Sequence, residues 1–444
     1  MDLNRRAFVA AAATSPFILG AGSAFARLSR GPVLKVGVIG CGGRGTGAMF
    51  NAISAGQQSG CTIEIVALAD LFADRTQRAN DALAENGLKT VPANRVFTGF
   101  DAYKQACATD ADIVILATPP GFRPIHFKEA TAKGKHVFCE KPVAVDAPGV
   151  RSFLESAAES RAKKLKVVAG TQRRHEQCYL EALARVDRGD IGRVITGRVY
   201  WNMGSLWNVE PDPAKTDVEN QVRNWLYHSW LSGDHIVEQH VHQLDVMCWV
   251  MGGLPTAVRG VGGRQARTDQ RLFGHIYDHF GLEYEFPGDR FVFSMCRQQD
   301  GTDGKVEENF RGTEGSVRLR SGFAEISGLS PWRFEGKQPD PYTQEHIDLQ
   351  RAILSGESLN EAEQVANSTM CAIMGRMAAY TGKDLTWDQA MSSIEVLMPE
   401  SVEFGSREVA PIAIPGQTKL MLPPPPEAAP AAAPAPAPAS GTPG

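Results

Sequence analysis

Between positions 235 and 245 the chain reads His-Ile-Val-Glu-Gln-His-Val-His-Gln-Leu-Asp, three imidazoles and two carboxylates in a short run. In a helix, positions i, i+4 and i+7 share one face, so Glu238, His242 and Asp245 would line one side, with His235 a turn earlier. An imidazole that titrates near neutrality suits taking a proton from a substrate hydroxyl, and an adjacent carboxylate orients it and raises its basicity. Zinc is a second chemistry for His235, Glu238, His240 and His242, because imidazoles and a carboxylate at close spacing are its usual ligands. The His-Val-His spacing is not the H-E-x-x-H pattern, and no metal is expected. A helix of satisfied, buried histidines is the third reading.

The elements that would position such chemistry begin at Val33. An apolar strand runs into Gly40-Cys41-Gly42-Gly43-Arg44-Gly45 and then a small-residue helix start. Gly40 permits a tight turn, Gly42 lets the backbone approach a pyrophosphate, and Gly45 lets helix and strand pack closely. Phosphates would sit at the helix amino end, where free N–H groups favour negative charge. A second strand, Ile63 to Ala69, ends at Asp70, at the distance expected for an acid that accepts from a ribose 2′-hydroxyl. Such a carboxylate repels a 2′-phosphate, so NAD is expected over NADP. Asp70 as a cap of the helix beginning near Ala73 is the plainer alternative.

Asp112 to Thr118 is a continuous apolar run of the kind buried on both faces of a parallel sheet. Pro119-Pro120 ends it. A helical stretch to Lys133, a Gly134 stop and the strand His136 to Cys139 lead to Glu140-Lys141-Pro142. Strands alternating with helices predict a doubly wound sheet with ligands at the carboxyl ends of its strands. Lys141 then emerges where a nicotinamide would lie, the alternative being a solubilising surface lysine. Beyond it, alternating segments at Val194 to Tyr200, Leu282 to Phe286 and Phe291 to Met295 read as half-buried antiparallel strands. Gln344 to Leu354 and Glu361 to Thr381 read as amphipathic helices, with oligomerisation burying the open sheet face.

Together VGVIGCGGRG, the acid in ALADLFADR, the stretch ATPPGFRPIHF and the strand-end EKP resemble the Gfo/Idh/MocA oxidoreductases. That resemblance implies an α/β fold: an amino-terminal Rossmann domain, expected over residues 33–165, and a carboxyl-terminal α/β domain with a large, mostly antiparallel sheet over 166–410. It implies a sugar, cyclitol or related polyol as substrate and a dimer or tetramer. It places Gly40, Gly42, Gly43, Arg44, Gly45, Asp70, Thr118, Pro119, Glu140 and Lys141 along the cofactor. His242 falls on the family's catalytic histidine and Asp245 on its second acid, while Glu238 replaces a usual aspartate and His240 a usual glycine. Lys141 would hydrogen-bond the substrate oxygen, fixing its position and stabilising developing charge, and Glu238 would support His242. Arg173 and His175, in Gly170-Thr171-Gln172-Arg173-Arg174-His175, become substrate-contact candidates with His235, His240 and Asp245, a solvated basic loop being an equal alternative. Trp201, Trp207, Trp225 and Trp230 offer faces that pack on sugar rings, although core packing is the expected role of most. Some relatives are NAD-dependent glycosidases that oxidise transiently and eliminate, and others are non-catalytic nucleotide binders; both remain rival readings.

Composition bounds these readings. With 43% hydrophobic and 22% charged residues, the 444-residue chain builds a substantial core. A formal charge of −4 supplies no global field for nucleic acid, which is excluded as a partner. Residues 1–26, with Arg5-Arg6 before an apolar stretch ending Ala24-Phe25-Ala26, read as a twin-arginine export signal, cleaved rather than kept as an anchor. A periplasmic destination without stable membrane insertion follows. Since free NAD is scarce there, the cofactor is expected to travel inside the folded protein. The eight cysteines are widely spaced and read as buried thiols, and residues 423–444 read as an extended Pro/Ala-rich tail.

Overall fold

The computed structural model describes residues 31–399 and 401–424. The expected export signal and nearly all of the proline-rich tail lie outside the described residues. Six strands form the first sheet: β1 (Val33–Ile39), β2 (Thr62–Asp70), β3 (Val96–Thr98), β4 (Ile113–Leu116), β5 (His136–Cys139) and β6 (Val167–Ala169). All pair in parallel, in the order β3-β2-β1-β4-β5-β6. The continuous apolar character of β4 has a direct cause. Ile113 and Ile115 enter one core and Val114 and Leu116 the other, because helices cover both faces.

The second sheet has nine strands: β7 (Val194–Met203), β8 (Ala257–Gly263), β9 (His279–Phe286), β10 (Arg290–Gln298), β11 (Lys305–Gly312), β12 (Gly315–Arg320), β13 (Phe323–Gly328), β14 (Trp332–Arg333) and β15 (Leu385–Thr386). Their order is β14-β13-β12-β11-β7-β10-β9-β8-β15, and the pairing is antiparallel except between β7 and β10. Along β9, Phe280, Leu282, Tyr284 and Phe286 point into the core and alternate with partly exposed residues. On the opposite face, Phe291 and Phe293 of β10 stay 45% and 41% exposed.

One helix differs from its expected character. Ala362–Thr381 is buried everywhere but Glu363, Gln364 and Asn367, rather than amphipathic. It lies between β8 on one side and the helices Ala147–Ala162 and Val241–Met251 on the other, so only its first turns meet water. The approach to the sheet is close: a Cβ on Gly375 would fall 2.3 Å from the Tyr284 hydroxyl oxygen.

After the second sheet the chain returns to the first. Helix Pro341–Ser355 packs on helix Gly43–Ser59, with Asn51 Nδ2 donating to Thr343 Oγ1 at 3.3 Å and Gln350 Nε2 to the Ala52 carbonyl at 2.8 Å. Residues 359–361 then pair with the free edge of β6, through Val167 N to Leu359 O at 3.0 Å and Glu361 N to Val167 O at 2.9 Å.

Candidate active site

The glycine turn after β1 is built as its spacing implies. Gly40 has φ +96°, and a Cβ there would lie 2.6 Å from Ala117 C and Thr118 N. A Cβ on Gly45 would fall 1.7 Å from the Gly40 carbonyl oxygen, so strand and helix meet at backbone distance. At Gly42 and Gly43 the situation is reversed, for a Cβ at either meets nothing within 4 Å. Gly42 also caps helix Gly43–Ser59 with no side-chain acceptor, which leaves the first N–H groups facing open space. Asp70 closes the far side: its Oδ2 accepts from Cys41 N at 2.7 Å and its Oδ1 from Phe72 N at 3.0 Å. It therefore anchors the turn before the next helix as well as facing the glycine loop. Burial raises its carboxyl pKa, opposed by those two N–H donors. An uncapped helix end, an open glycine cradle and a carboxylate at the end of β2 fit a dinucleotide.

Arg44 and Glu140, both expected along the cofactor, have side chains engaged with each other: Arg44 Nε donates to Glu140 Oε1. Arg44 also reaches Asn51 Oδ1 at 3.3 Å and lies 3.7 Å from Glu345 Oε2. Its Nη2 has no hydrogen-bond partner. Thr118 Oγ1 sits 3.1 Å from His126 Nδ1, and Pro119 precedes the turn at Pro120–Phe122.

At the end of β5, Lys141 Nζ donates to Glu238 twice, to the carbonyl oxygen at 2.6 Å and to Oε1 at 2.9 Å. That double contact coincides with a departure from the expected continuous helix. The Glu238 carbonyl accepts from the ammonium and not from His242 N, which donates to Gln239 O at 3.5 Å, while His240 N reaches back to His235 O at 3.2 Å. Helix His235–Glu238 ends there, and a separate helix runs Val241–Met251. Glu238, His242 and Asp245 accordingly do not share one helix face, and Glu238 is held by Lys141.

His242 is buried, stacks at 5.6 Å and 20° on Trp201, and has an Nδ1 without a hydrogen-bond partner. Its pKa lies well below the usual histidine value, chiefly from burial and then from the positive charges of Lys141, Arg173 and Arg44. The ring is therefore a neutral imidazole beside an ammonium. Arg173 joins the same group. Its Nε donates to Glu308 Oε1 at 3.3 Å, its guanidinium lies 5.8 Å from the Trp201 ring centre, and its Nη1 is buried without a partner. Of the four tryptophans singled out, Trp201 lies beside His242, whereas Trp230 packs on Phe122 and Trp207 on Trp225.

Four expected substrate contacts are engaged elsewhere. Asp245, 1% exposed, accepts from Arg174 at 2.8 and 3.0 Å and from Ser368 Oγ at 2.6 Å, besides Gln364 Nε2. His240 Nε2 lies 2.7 Å from Ser294 Oγ in β10, and burial drives its pKa down to about 3. His235, fully buried, sits against Asp234 Oδ1 at 3.0 Å and Tyr277 O at 3.2 Å. These separate partners also disperse the imidazoles that a zinc site would need to converge. His175 lies 2.6 Å from Asp348 Oδ2 and 3.3 Å from Glu361 Oε1; burial alone would lower its pKa, yet Glu361 and Asp348 lift it to about 10. It is a charged tie between the returning helix and the edge of the first sheet. Each holds at least one protein partner in this structure, while His235 Nε2 and His240 Nδ1 stay buried without a hydrogen-bond partner.

Two residues escaped the sequence reading. Arg123, 4% exposed, donates Nη1 to the Pro142 carbonyl and so holds the turn that carries Lys141. Glu308 on β11 receives both Arg173 and, at 2.8 Å, the Tyr179 hydroxyl. Arg123 lies within the stretch ATPPGFRPIHF already quoted, whereas Glu308, in the polar run Lys305-Val306-Glu307-Glu308-Asn309, carries no signal in the sequence.

Comparison with known proteins agrees with this geometry. Residues 34–168 match the model of an oxidoreductase family with an NAD-binding Rossmann fold, and residues 179–318 match the GFO/IDH/MocA C-terminal domain. An inositol 2-dehydrogenase of Klebsiella pneumoniae is 32% identical over 197 residues, covering 44% of this chain and 54% of that protein. Inositol 2-dehydrogenase 3 of Saccharopolyspora erythraea is 28% identical over 260 residues, covering 58% and 65%. The chain thus spans about half to two-thirds of the length of these curated relatives. Among solved structures, levoglucosan dehydrogenase with NADH and levoglucosan superposes with a TM-score of 0.65 at 16% identity, covering 80% of this chain and all of that one. Aldose-aldose oxidoreductase from Caulobacter crescentus, complexed with glycerol, superposes at 0.62 and 19%, covering 80% and 99%. With both halves of its fold matched and the glycine cradle built for a dinucleotide, the chain belongs to the Gfo/Idh/MocA oxidoreductase family.

Proposed function

We propose that the protein oxidises a secondary hydroxyl of a sugar, cyclitol or related polyol derivative, using tightly held NAD. The observation that carries this reading is the meeting of Lys141, from the end of β5, with Glu238 and His242 from the second domain. Bound NAD would supply the hydride acceptor. Lys141 Nζ is placed to donate to a substrate oxygen, holding it and stabilising negative charge as the hydroxyl ionises. The neutral His242 imidazole, whose Nδ1 has no hydrogen-bond partner, is the acceptor for the hydroxyl proton. The Glu238 carboxylate, 2.9 Å from the Lys141 ammonium, holds that ammonium in place beside it. Trp201 and the unpartnered Arg173 Nη1 supply a flat ring and a donor for neighbouring hydroxyls. The carboxylate of Asp70 supports NAD over NADP through repulsion of a 2′-phosphate.

Arg5-Arg6 and Ala24-Phe25-Ala26 support export through a twin-arginine route, and among the described residues no helix is long and apolar enough to cross a membrane. The partly exposed Phe291 and Phe293 on the open sheet face support assembly of like copies.

A panel of sugars, cyclitols and glycosides, followed both for reduced-cofactor absorbance and for released products, tests the assignment. Net reduction with a polyol, lost in Lys141→Ala, is expected. Aglycone release without net reduction would replace it with transient oxidation and elimination, and full function in Lys141→Ala would leave a non-catalytic nucleotide binder.

A further inference from the structure

The segment that follows helix Trp387–Ser392 lies beyond the matched family regions, which end at residue 318. It runs over the carboxyl ends of the first sheet and is tied down at both ends. Leu397 N and Met398 N donate to Asp146 Oδ2 at 2.7 and 3.2 Å. At the far end, Asp217 Oδ2 accepts from Ser406 Oγ at 2.8 Å and from Arg407 N at 3.0 Å, and the Arg407 guanidinium lies 4.4 Å from the Trp230 ring centre. Between these anchors Phe404 packs 5.0 Å from Phe100 and 6.2 Å from Phe72.

Both partner rings flank the ribose carboxylate. Phe72 stands two residues after Asp70 and donates its N–H to it, and Phe100 follows β3 next to Gly99, whose N–H donates to the Asp70 carbonyl at 3.1 Å. In a doubly wound sheet of this strand order, the adenosine half of a dinucleotide lies over the β1-β2-β3 side. Phe404 nevertheless keeps 47% of its surface exposed. A ring held at both flanks, with a face left open beside the ribose acid, is suited to stacking on a purine.

We propose that residues 401–407, with Leu397 and Met398, form the outer wall of the adenosine end of the nucleotide site, with Phe404 stacking on the adenine, so that the dinucleotide stays in the folded protein between turnovers. This rests on the nucleotide-binding reading above. The wall adds to that reading a contact at the adenosine end that the glycine cradle does not supply.

Stopped-flow release of NADH from the full chain, chased with ADP-ribose and followed by nucleotide fluorescence, tests the wall without any turnover. Phe404→Ala is expected to release NADH about tenfold faster, the loss of one stacked base–aromatic contact. Phe404→Trp should restore slow release. Asp217→Asn, which loosens the far anchor without touching the ring, should also hasten release. Unchanged or slower release in both Phe404→Ala and Asp217→Asn would overturn the wall while leaving the function intact. A wild-type chain that binds no NADH at all would overturn the functional reading and the wall together.

Discussion

Asp245 separates the two roles open to it, because family position makes it a substrate contact and the fold makes it a buried counter-ion. Asp245→Asn keeps the volume and one acceptor oxygen but removes the charge opposite Arg174. Breaking one partner of a buried pair costs about 3–5 kcal/mol, since the other charge stays behind uncompensated. The Arg174 side chain is 20% exposed and Asp245 1%, so water reaches only the arginine and the lower end, about 3 kcal/mol, applies. At an unfolding entropy of about 2.1 cal/mol/K per residue, a folded region of roughly 390 residues would lose about 4 °C in a cooperative melt. Thermal melting of the nucleotide-loaded protein, with NADH affinity and polyol KM measured in parallel, checks this. Lower stability with KM unchanged is expected. A double-mutant cycle with Arg174→Gln should return a coupling above about 1 kcal/mol. A variant that melts like the wild type but has a KM raised tenfold would refute the structural role and return Asp245 to the substrate.

His175 predicts a pH dependence. Its pKa of about 10 in the folded protein exceeds the free value of 6.5, so folding tightens proton binding. Its stabilisation is complete below about pH 6.5 and is lost as pH rises towards 10; His175→Gln should flatten the decline in urea-unfolding stability between pH 7 and 10, and an unaltered slope would count against the ion pairs with Asp348 and Glu361. The glycine loop predicts a contrast. Gly45→Ala, forced against the Gly40 carbonyl, should lower stability by about 2 kcal/mol or more. Gly42→Ala meets open space, so it should melt like the wild type yet bind NADH at least tenfold more weakly; equal binding would show that no phosphate comes near Gly42.

The parallel sheet was legible because its signals are local. A run such as Ile113-Val114-Ile115-Leu116 must bury alternate residues in two cores, and Gly40 and Gly45 are demanded by backbone approaches of their own neighbours. The antiparallel sheet declared itself through period-two alternation, as in β9. Helix Ala362–Thr381 was legible as a helix but not in its burial, because its surroundings come from strands and helices far away in sequence.

The site divides along the same line. Composition, spacing and strand-end position by themselves determined the glycine cradle, the acid after β2, the lysine after β5 and the identity of the histidine run. Only the folded chain decided which imidazoles and carboxylates were free. Lys141, nearly a hundred positions from Glu238, bonds both its carbonyl and its carboxylate and leaves Glu238 on the ammonium instead of on His242. Arg174, Ser368 and Gln364 claim Asp245, Ser294 claims His240, and Asp348 with Glu361 claims His175. A buried polar group takes whichever partner the packing brings within hydrogen-bond reach, and that partner is set by contacts between distant segments that no local spacing records.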